Sequence, residues 1–533
     1  MRRRIFTTGL ASTAILAGLP PRAEGAEKVL RVAMTAADIP TTTGQPNQGA
    51  EGIRFAGITA YDALSAWDLS RADVKARLRP GLAESWSTDP ADRTVWTFRL
   101  RRGVTFHDGS EFDADAVMWN LDKVMNKAAP QFDAAQAAQA ATFVAPISGY
   151  RRVDGSTVEI TTKQPDANLA FKLVSVFMSS PARWRELGGD WNRFALAPSG
   201  TGPWRIDKVA PRERIEFSRN AKYWESARIP RCDRMIVLPM PDPLTRGAAL
   251  LSGQIDWAEA PPPDLIPRLR QAGMQVVTNA YPHVWPYLLS ALPDSPFRDL
   301  RVRRAINLGI DREGLVQLLG GTAMAAKGHV VPDDPWFGKP QFQVRHDPRE
   351  AKRLLAEAGY GPRKPCNATV LISTSGSGQM QPLPMNEAIK QGLAEIGMEI
   401  RFEVLEWETL RGRRRSGAMA AENRGMHALN NSLGSADPSS MIDAVWSVRA
   451  PPVGLNWGNF SDPKADALAA RAEVEFDPEK QDMLLGELHA SFVDNALWAF
   501  IVHDLNPRAL SPRLKGFVQA QSWSQDLTTV DFA

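Results

Sequence analysis

The chain has 533 residues, 44% of them hydrophobic and 23% charged, with a formal net charge of +3. At roughly 100–200 residues per domain, that length suits three units or one large two-lobed body, and the composition excludes extended disorder, collagen-like repeats and coiled coil. Two cysteines exclude a disulfide-built miniature fold and a four-thiolate zinc site.

In chain order, the first element is an address. Arg2, Arg3 and Arg4 precede 11 apolar or small residues, Gly9 to Leu19, which Pro20-Pro21 ends. This is the layout of a secretory signal, too short to span a bilayer. Arg3-Arg4-Ile5-Phe6 resembles the core of a twin-arginine signal, but Thr7-Thr8 stand where Leu and Lys are usual, so Tat and Sec export both stay open. Cleavage is expected after Gly25, with Ala26 an alternative, and no cysteine is near to carry a lipid. The mature protein is therefore expected free in the periplasm. Residues 1–25 carry Arg2, Arg3, Arg4 and Arg22 against Glu24, a net of +3 that equals the charge of the whole chain. The mature chain is then neutral, and a bulk positive field for nucleic acid loses its support. The run Arg411-Gly412-Arg413-Arg414-Arg415 reads as a solvated loop or helix face rather than a binding patch. No later window has 18 uninterrupted apolar residues, so no membrane span is expected.

Val29 to Met34 reads as a buried strand, and Trp96 to Arg101 alternates as a half-buried one that continues through Val104 and Phe106. Asp113 or Asp115 caps a helix carrying Val117, Leu121, Val124 and Met125 on one face. Asp347-Pro348-Arg349-Glu350 opens another, with Ala351, Leu354, Leu355 and Ala358 on its apolar face and Gly359 ending it. A strand at Ala368–Ile372, a helix marked by Met385, Ile389, Leu393 and Ile396, and a strand at Met398–Val404 make a βαβ unit with parallel strands. The polar loop Ser373 to Gln381 leaves its first strand at the carboxyl end, where open α/β sheets place ligands.

The mature chain shows no HExxH, GxSxG, P-loop or GxGxxG. Seven histidines (107, 283, 329, 346, 427, 489, 503) are scattered without metal-ligand spacing. Asp113/Asp115 and Asp333/Asp334 are explained by caps and turns, so no catalytic residue, metal or cofactor is assigned. Cys232 and Cys366 are compatible with a disulfide or with two buried thiols. What stands out is 16 Trp against 6 Tyr. Trp86, Trp96, Trp119 and Trp224 fall in strand or helix patterns and read as core. Trp407, Trp446 and Trp457 sit near loops and are candidates for lining a cleft.

Pro80-Gly81-Leu82-Ala83-Glu84-Ser85-Trp86 followed by Thr97 to Val117 resembles the signature of the family 5 extracellular solute-binding proteins, receptors of dipeptide, oligopeptide and nickel ABC importers. Further stretches agree in order: Ser199 to Trp204 with Arg219-Asn220 and Tyr223-Trp224; Gly253-Gln254-Ile255-Asp256; Pro296 to Asp299, Arg301 to Ala305 and Asp311-Arg312; and Asp347 to Tyr360. Each also has a structural reading. Gly200 to Pro203 suits a tight turn, His107-Asp108-Gly109 a turn with a bonded His, and Arg301, Arg303 and Arg304 structural ion pairs.

The resemblance implies an α/β, two-lobed periplasmic-binding-protein fold of the large type II class. It implies a first lobe at 26–280 with an inserted subdomain at about 70–195, a second at 281–490, and a C-terminal return at 491–533. It also implies capture of a peptide or other small ligand by hinge closure, and delivery of it, as a monomer, to a permease and ATPase at the inner membrane. In peptide receptors of this family an acid in W-x-x-D-x-x-D-P grips the α-amino group. Here the stretch is Asn431 to Pro438, with Asn431 at the Trp position and Gly434 at the acid position. A buried ammonium would lack that partner, which disfavours an ordinary free dipeptide, while Asn430 and Asn431 offer neutral donors and acceptors. Ser290 stands where the family has Asn. A peptide-like or other small polar ligand is therefore expected. The alternatives are a metal-chelate or glycoside-like ligand, a periplasmic hydrolase and a chaperone.

Overall fold

A computed structural model describes residues 27–280, 282–375 and 381–533. The export signal and the centre of the polar loop 373–381 lie outside the described residues.

Two sheets of seven strands organise the chain. In the first, Val29–Met34 lies parallel to both Arg234–Pro239 and Trp257–Glu259. Arg214–Arg219 and Trp204–Ala210 extend one side, and Arg508–Leu510 and Gln275–Val277 the other. Its core gathers Val32, Met34, Phe217, Val237 and Trp257. In the second sheet His283–Leu289 stands between Trp498–Asp504 and Ala428–Asn430, followed by Cys366–Ser373 and Met398–Leu405. The βαβ unit is present: Cys366–Ser373 and Met398–Leu405 pair in parallel from Cys366↔Met398 to Ser373↔Leu405, joined by the helix Pro382–Glu395. Ala428–Asn430 is also parallel to Cys366–Ser373. Three carboxyl strand ends therefore point toward one edge. The strand Trp498–Asp504 falls in the stretch expected to return to the first lobe, yet it pairs in the second sheet, and the chain rejoins the first at Arg508. Its seven residues are all buried, so both faces need the cover the second sheet provides.

The two crossings between sheets touch, where the Asn279 backbone N–H donates to the Leu505 carbonyl (2.9 Å). A third, four-stranded antiparallel sheet, within residues 83–162, carries the helices Ala114–Met125 and Ala134–Val144. Asp113 caps the first of these by accepting from the Ala116 N–H (2.9 Å). The helix Pro348–Glu357 is capped by Asp347 and buries Ala351, Leu354 and Leu355, as its spacing predicts.

The resemblance motifs build scaffold. A side chain at Gly202 would sit 2.4 Å from the Ala60 carbonyl carbon, so this turn needs glycine for close approach. His107 Nε2 faces the Gly202 carbonyl (2.9 Å) while its Nδ1 accepts from the Gly200 N–H (3.4 Å). Asp256, fully buried, ties Arg31 of the first strand (2.8 Å) to Arg513 of the C-terminal tail (3.0 Å). Arg301 forms the expected ion pair with Asp299 (2.6 Å). Arg303 and Arg304 form none among the described residues: Arg303 donates to the carbonyls of Asn495 and Phe297, and Arg304 to that of Asp494. Those carbonyls close the end of the helix Pro478–Asp494 and the turn before Arg301, where a cation serves in place of an ion pair. Cys232 and Cys366 are both buried free thiols.

Candidate functional site

Carboxyl strand ends place the site. Met398–Leu405 runs directly into the helix Trp407–Ser416, whose cap is Glu406, accepting from the N–H groups of Glu408 (2.8 Å) and Thr409 (3.2 Å). Trp407 is thus the first helical residue at the mouth of a parallel strand. Asn431 follows the strand Ala428–Asn430 in the same way. Asp437 caps the helix Pro438–Val445 through the Ser440 N–H (3.2 Å).

These ends face a cavity of about 290 Å³ with walls from both halves of the molecule. Gly49, Ile53, Trp67, Phe171 and Lys172 come from the first half; Trp407, Asn431, Gly434, Asp437 and Asp443 from the second; Trp523 from the C-terminal tail. A second cavity of about 430 Å³ adjoins it, sharing Gly49, Ile53, Phe143, Arg411 and Arg414. Several wall atoms are buried without a hydrogen-bond partner among the described residues: the indole Nε1 of Trp407 and Trp523 and Oδ1 of Asn431. Such atoms are costly unless something in the cavity completes them.

The expected site residues divide. Trp407 and Asn431 line the cavity. Asn430 is fully buried and spends its amide internally, donating to the Pro286 carbonyl (2.9 Å) and accepting from Asn386 (3.2 Å). Trp457 is 1% exposed, packed in the second lobe's core, with its Nε1 on the Arg413 carbonyl (3.4 Å). Trp446 packs on the edge of that core, under the Arg449 guanidinium 5.2 Å from its ring. Sequence reasoning missed Trp67 and Trp523, both half-buried in the wall. Trp67 packs on Phe171 (5.9 Å between centroids), and Trp523 meets His283 edge-on (5.0 Å). Neither carries a local sequence signal, because long-range packing brings each to the cleft. Of the tryptophans read as core, Trp96 is buried while Trp86, Trp119 and Trp224 are half-buried.

Charge in the cleft is uneven. Burial holds Asp437 above the usual carboxylate range and pushes Asp443 up to about 7, against the pull of Lys172. Lys172 bonds Asp166 (2.6 Å) and reaches across to Glu473 (3.6 Å), bridging the two halves, while Arg449 pairs with Glu473 and Asp443 within the second. The arginine run is not a solvated face. It lies on the helix Trp407–Ser416, where Arg411, Arg414 and Arg415 line the second cavity and Arg413 turns away to Glu403 (3.1 Å) and Asn423 (2.6 Å). The i, i+3, i+4 spacing gathers three guanidiniums on the cleft side, which a linear charge count cannot show. Among the described residues no group of three or more His, Cys, Asp or Glu is placed to hold a metal ion.

The profile for bacterial extracellular solute-binding proteins, family 5 (middle), matches residues 77–450. The chain belongs to that family.

Among its family 5 relatives, the di/tripeptide-binding protein 2 of Pseudomonas aeruginosa is 26% identical over 488 residues, covering 88% of each chain. The glutathione-binding protein GsiB of Escherichia coli is 26% identical over 492 residues, covering 88% of this chain and 91% of its own. A dipeptide-binding protein from Pseudoalteromonas, solved with Met-Leu, superposes with a TM-score of 0.81 at 21% identity, over 95% of this chain and all of that one. The fold is the two-lobed periplasmic-binding-protein fold, and this family 5 protein is a solute-binding protein. The family is made of extracellular binding proteins, not of enzymes.

Proposed function

We propose that this protein captures a small polar, peptide-like solute in the cleft between its lobes and closes over it. The lobes are 26–280, with an insertion at about 70–195, and 281–504; residues 505–533 return to the first. The observation that carries this reading is the cavity with walls from both halves and unpartnered Trp407, Trp523 and Asn431 atoms in them. A ligand bonded to both walls binds the shut form better than the open one, and that difference is what moves the hinge equilibrium. Trp67, Trp407 and Trp523 supply flat apolar walls, and the indole N–H groups and the Asn431 carbonyl fix orientation.

Gly434 supports a ligand other than a free dipeptide. A Cβ there would lie 3.0 Å from the Trp523 ring, so the tail tryptophan occupies the space where the family's acid would reach. The protein acts as a monomer, exported through the signal at residues 1–25, and the closed form docks on its permease without turnover.

Native mass spectrometry of the purified protein tests this reading. One small molecule per chain, lost on unfolding and restoring thermal stability when returned, is the expected result. A model peptide hydrolysed, with loss of activity on a single Ser→Ala change, would replace this reading with an enzyme.

A further inference from the structure

The second cavity has an unbalanced wall. Its charged lining residues are Arg411, Arg414 and Arg415, with no carboxylate among them. Arg411 is answered by Glu408 (2.9 Å). Arg414 and Arg415 have no acid partner among the described residues, and Arg414 Nε and Arg415 Nη1 are buried with no hydrogen bond. Burial, and then repulsion from Arg411 and Arg415, pushes the Arg414 guanidinium down to about 9. Folding gains little from such a cluster: three like charges on one helix face repel, and Arg414 and Arg415, with Glu408 already paired to Arg411, make no ion pair among the described residues. Arg413 shows what a structural arginine in the same run does, since it is taken up by Glu403 and Asn423.

We propose that Arg411, Arg414 and Arg415 form an oxyanion-binding end of the cleft, which selects a small solute carrying at least two negative charges. The count follows from the wall: with Arg411 neutralised by Glu408, two positive charges remain to be met. Guanidinium forks pair with carboxylate and phosphate oxygens in the same bidentate way, so oxyanion chemistry defines the subsite. The cavity's volume of about 430 Å³ suits one small molecule. This inference rests on the reading of the protein as a solute receptor.

Calorimetric titration of the full mature protein, stripped of any co-purified molecule, uses citrate, pyrophosphate, glutathione and glutathione diethyl ester as probes. Binding of citrate or pyrophosphate is expected, the stronger of the two naming carboxylate or phosphate as the source. That dissociation constant should rise at least tenfold in Arg414→Met and in Arg415→Met, and be largely restored in Arg414→Lys. Glutathione should bind better than its diester. The ligand-free Arg414→Met variant should melt at the same temperature as the parent or higher, since relief of repulsion accompanies the loss of binding; a merely structural arginine would lower it. Failure of both citrate and pyrophosphate to bind, binding unchanged in the variants, or preference for the diester would each overturn the proposal. A neutral or cationic molecule recovered from the native protein would also overturn it while leaving solute capture intact.

Discussion

Trp407 holds the first helical position after a parallel strand, and its indole N–H has no partner among the described residues. Trp407→Phe keeps the apolar wall and removes that donor. The ligand-free protein should lose little stability, because no internal hydrogen bond is broken, while affinity for the native solute falls about fivefold, the worth of one ordinary hydrogen bond. Calorimetric titration of variant and parent checks this. At Gly434 the opposite change is informative. Gly434→Asp places new atoms against Trp523 and should destabilise by roughly 1–3 kcal/mol through overpacking, seen as a lower unfolding midpoint in urea. The sequence pointed to Trp407 because it sits near a loop, and to Asn431 because it stands at the Trp position of the family's W-x-x-D-x-x-D-P stretch. It could not separate them from Trp457 and Asn430, whose partners (the Arg413 carbonyl, Pro286 and Asn386) come from distant stretches of chain.

Elements were legible where the pattern is local. The helix at 348–357 has cap, proline, apolar face and terminating glycine within 13 residues of sequence, Asp347 to Gly359, and it forms as read. The βαβ unit at 366–405 is equally local, and parallel pairing follows from the crossover. What the pattern could not assign was sheet membership for strands buried on both faces. Trp498 to Val502 is continuously apolar and all seven residues of Trp498–Asp504 are buried, so only its neighbours decide which lobe it completes. The adjoining crossing carries its own test. Asn506 adopts φ 50°, and its N–H donates to Asp504 Oδ1 (2.6 Å). Asn506→Val should cost about 1–2 kcal/mol for the left-handed backbone, whereas Asn506→Gly should be tolerated. Chemical denaturation of the two variants makes the comparison.

Proton linkage acts at the scale of the whole molecule. Burial pushes His107, His489 and His503 each down to about 4, and holds His283 and His329 well below the ordinary histidine value. An unfolded histidine takes its proton near pH 6.5, so below that pH the unfolded state binds more protons. Stability should therefore hold above about pH 6.5 and fall steadily toward pH 4, measurable as a falling thermal midpoint. Asp443 works in the other direction. Its neighbours are Lys172, Arg449, Glu473 and Asp437, and with a folded value of about 7 it is protonated in the folded state before the unfolded one. Its contribution declines as pH rises from about 4 to about 7, and Asp443→Asn should gain stability relative to the parent across that window.

The two-lobed fold and the family were legible in ordered motifs along the chain, yet of the family stretches only Asn431 to Pro438 reaches the cavity. Gly200 to Pro203, Asp256 and Arg303 hold the scaffold, and the walls come from residues that only the closed topology brings together. The central claim is capture by closure. Small-angle X-ray scattering of the stripped protein, before and after return of its co-purified solute, tests it most directly. A smaller radius of gyration with solute bound, at constant molecular mass, is the predicted result. An unchanged radius at saturating solute would contradict the account.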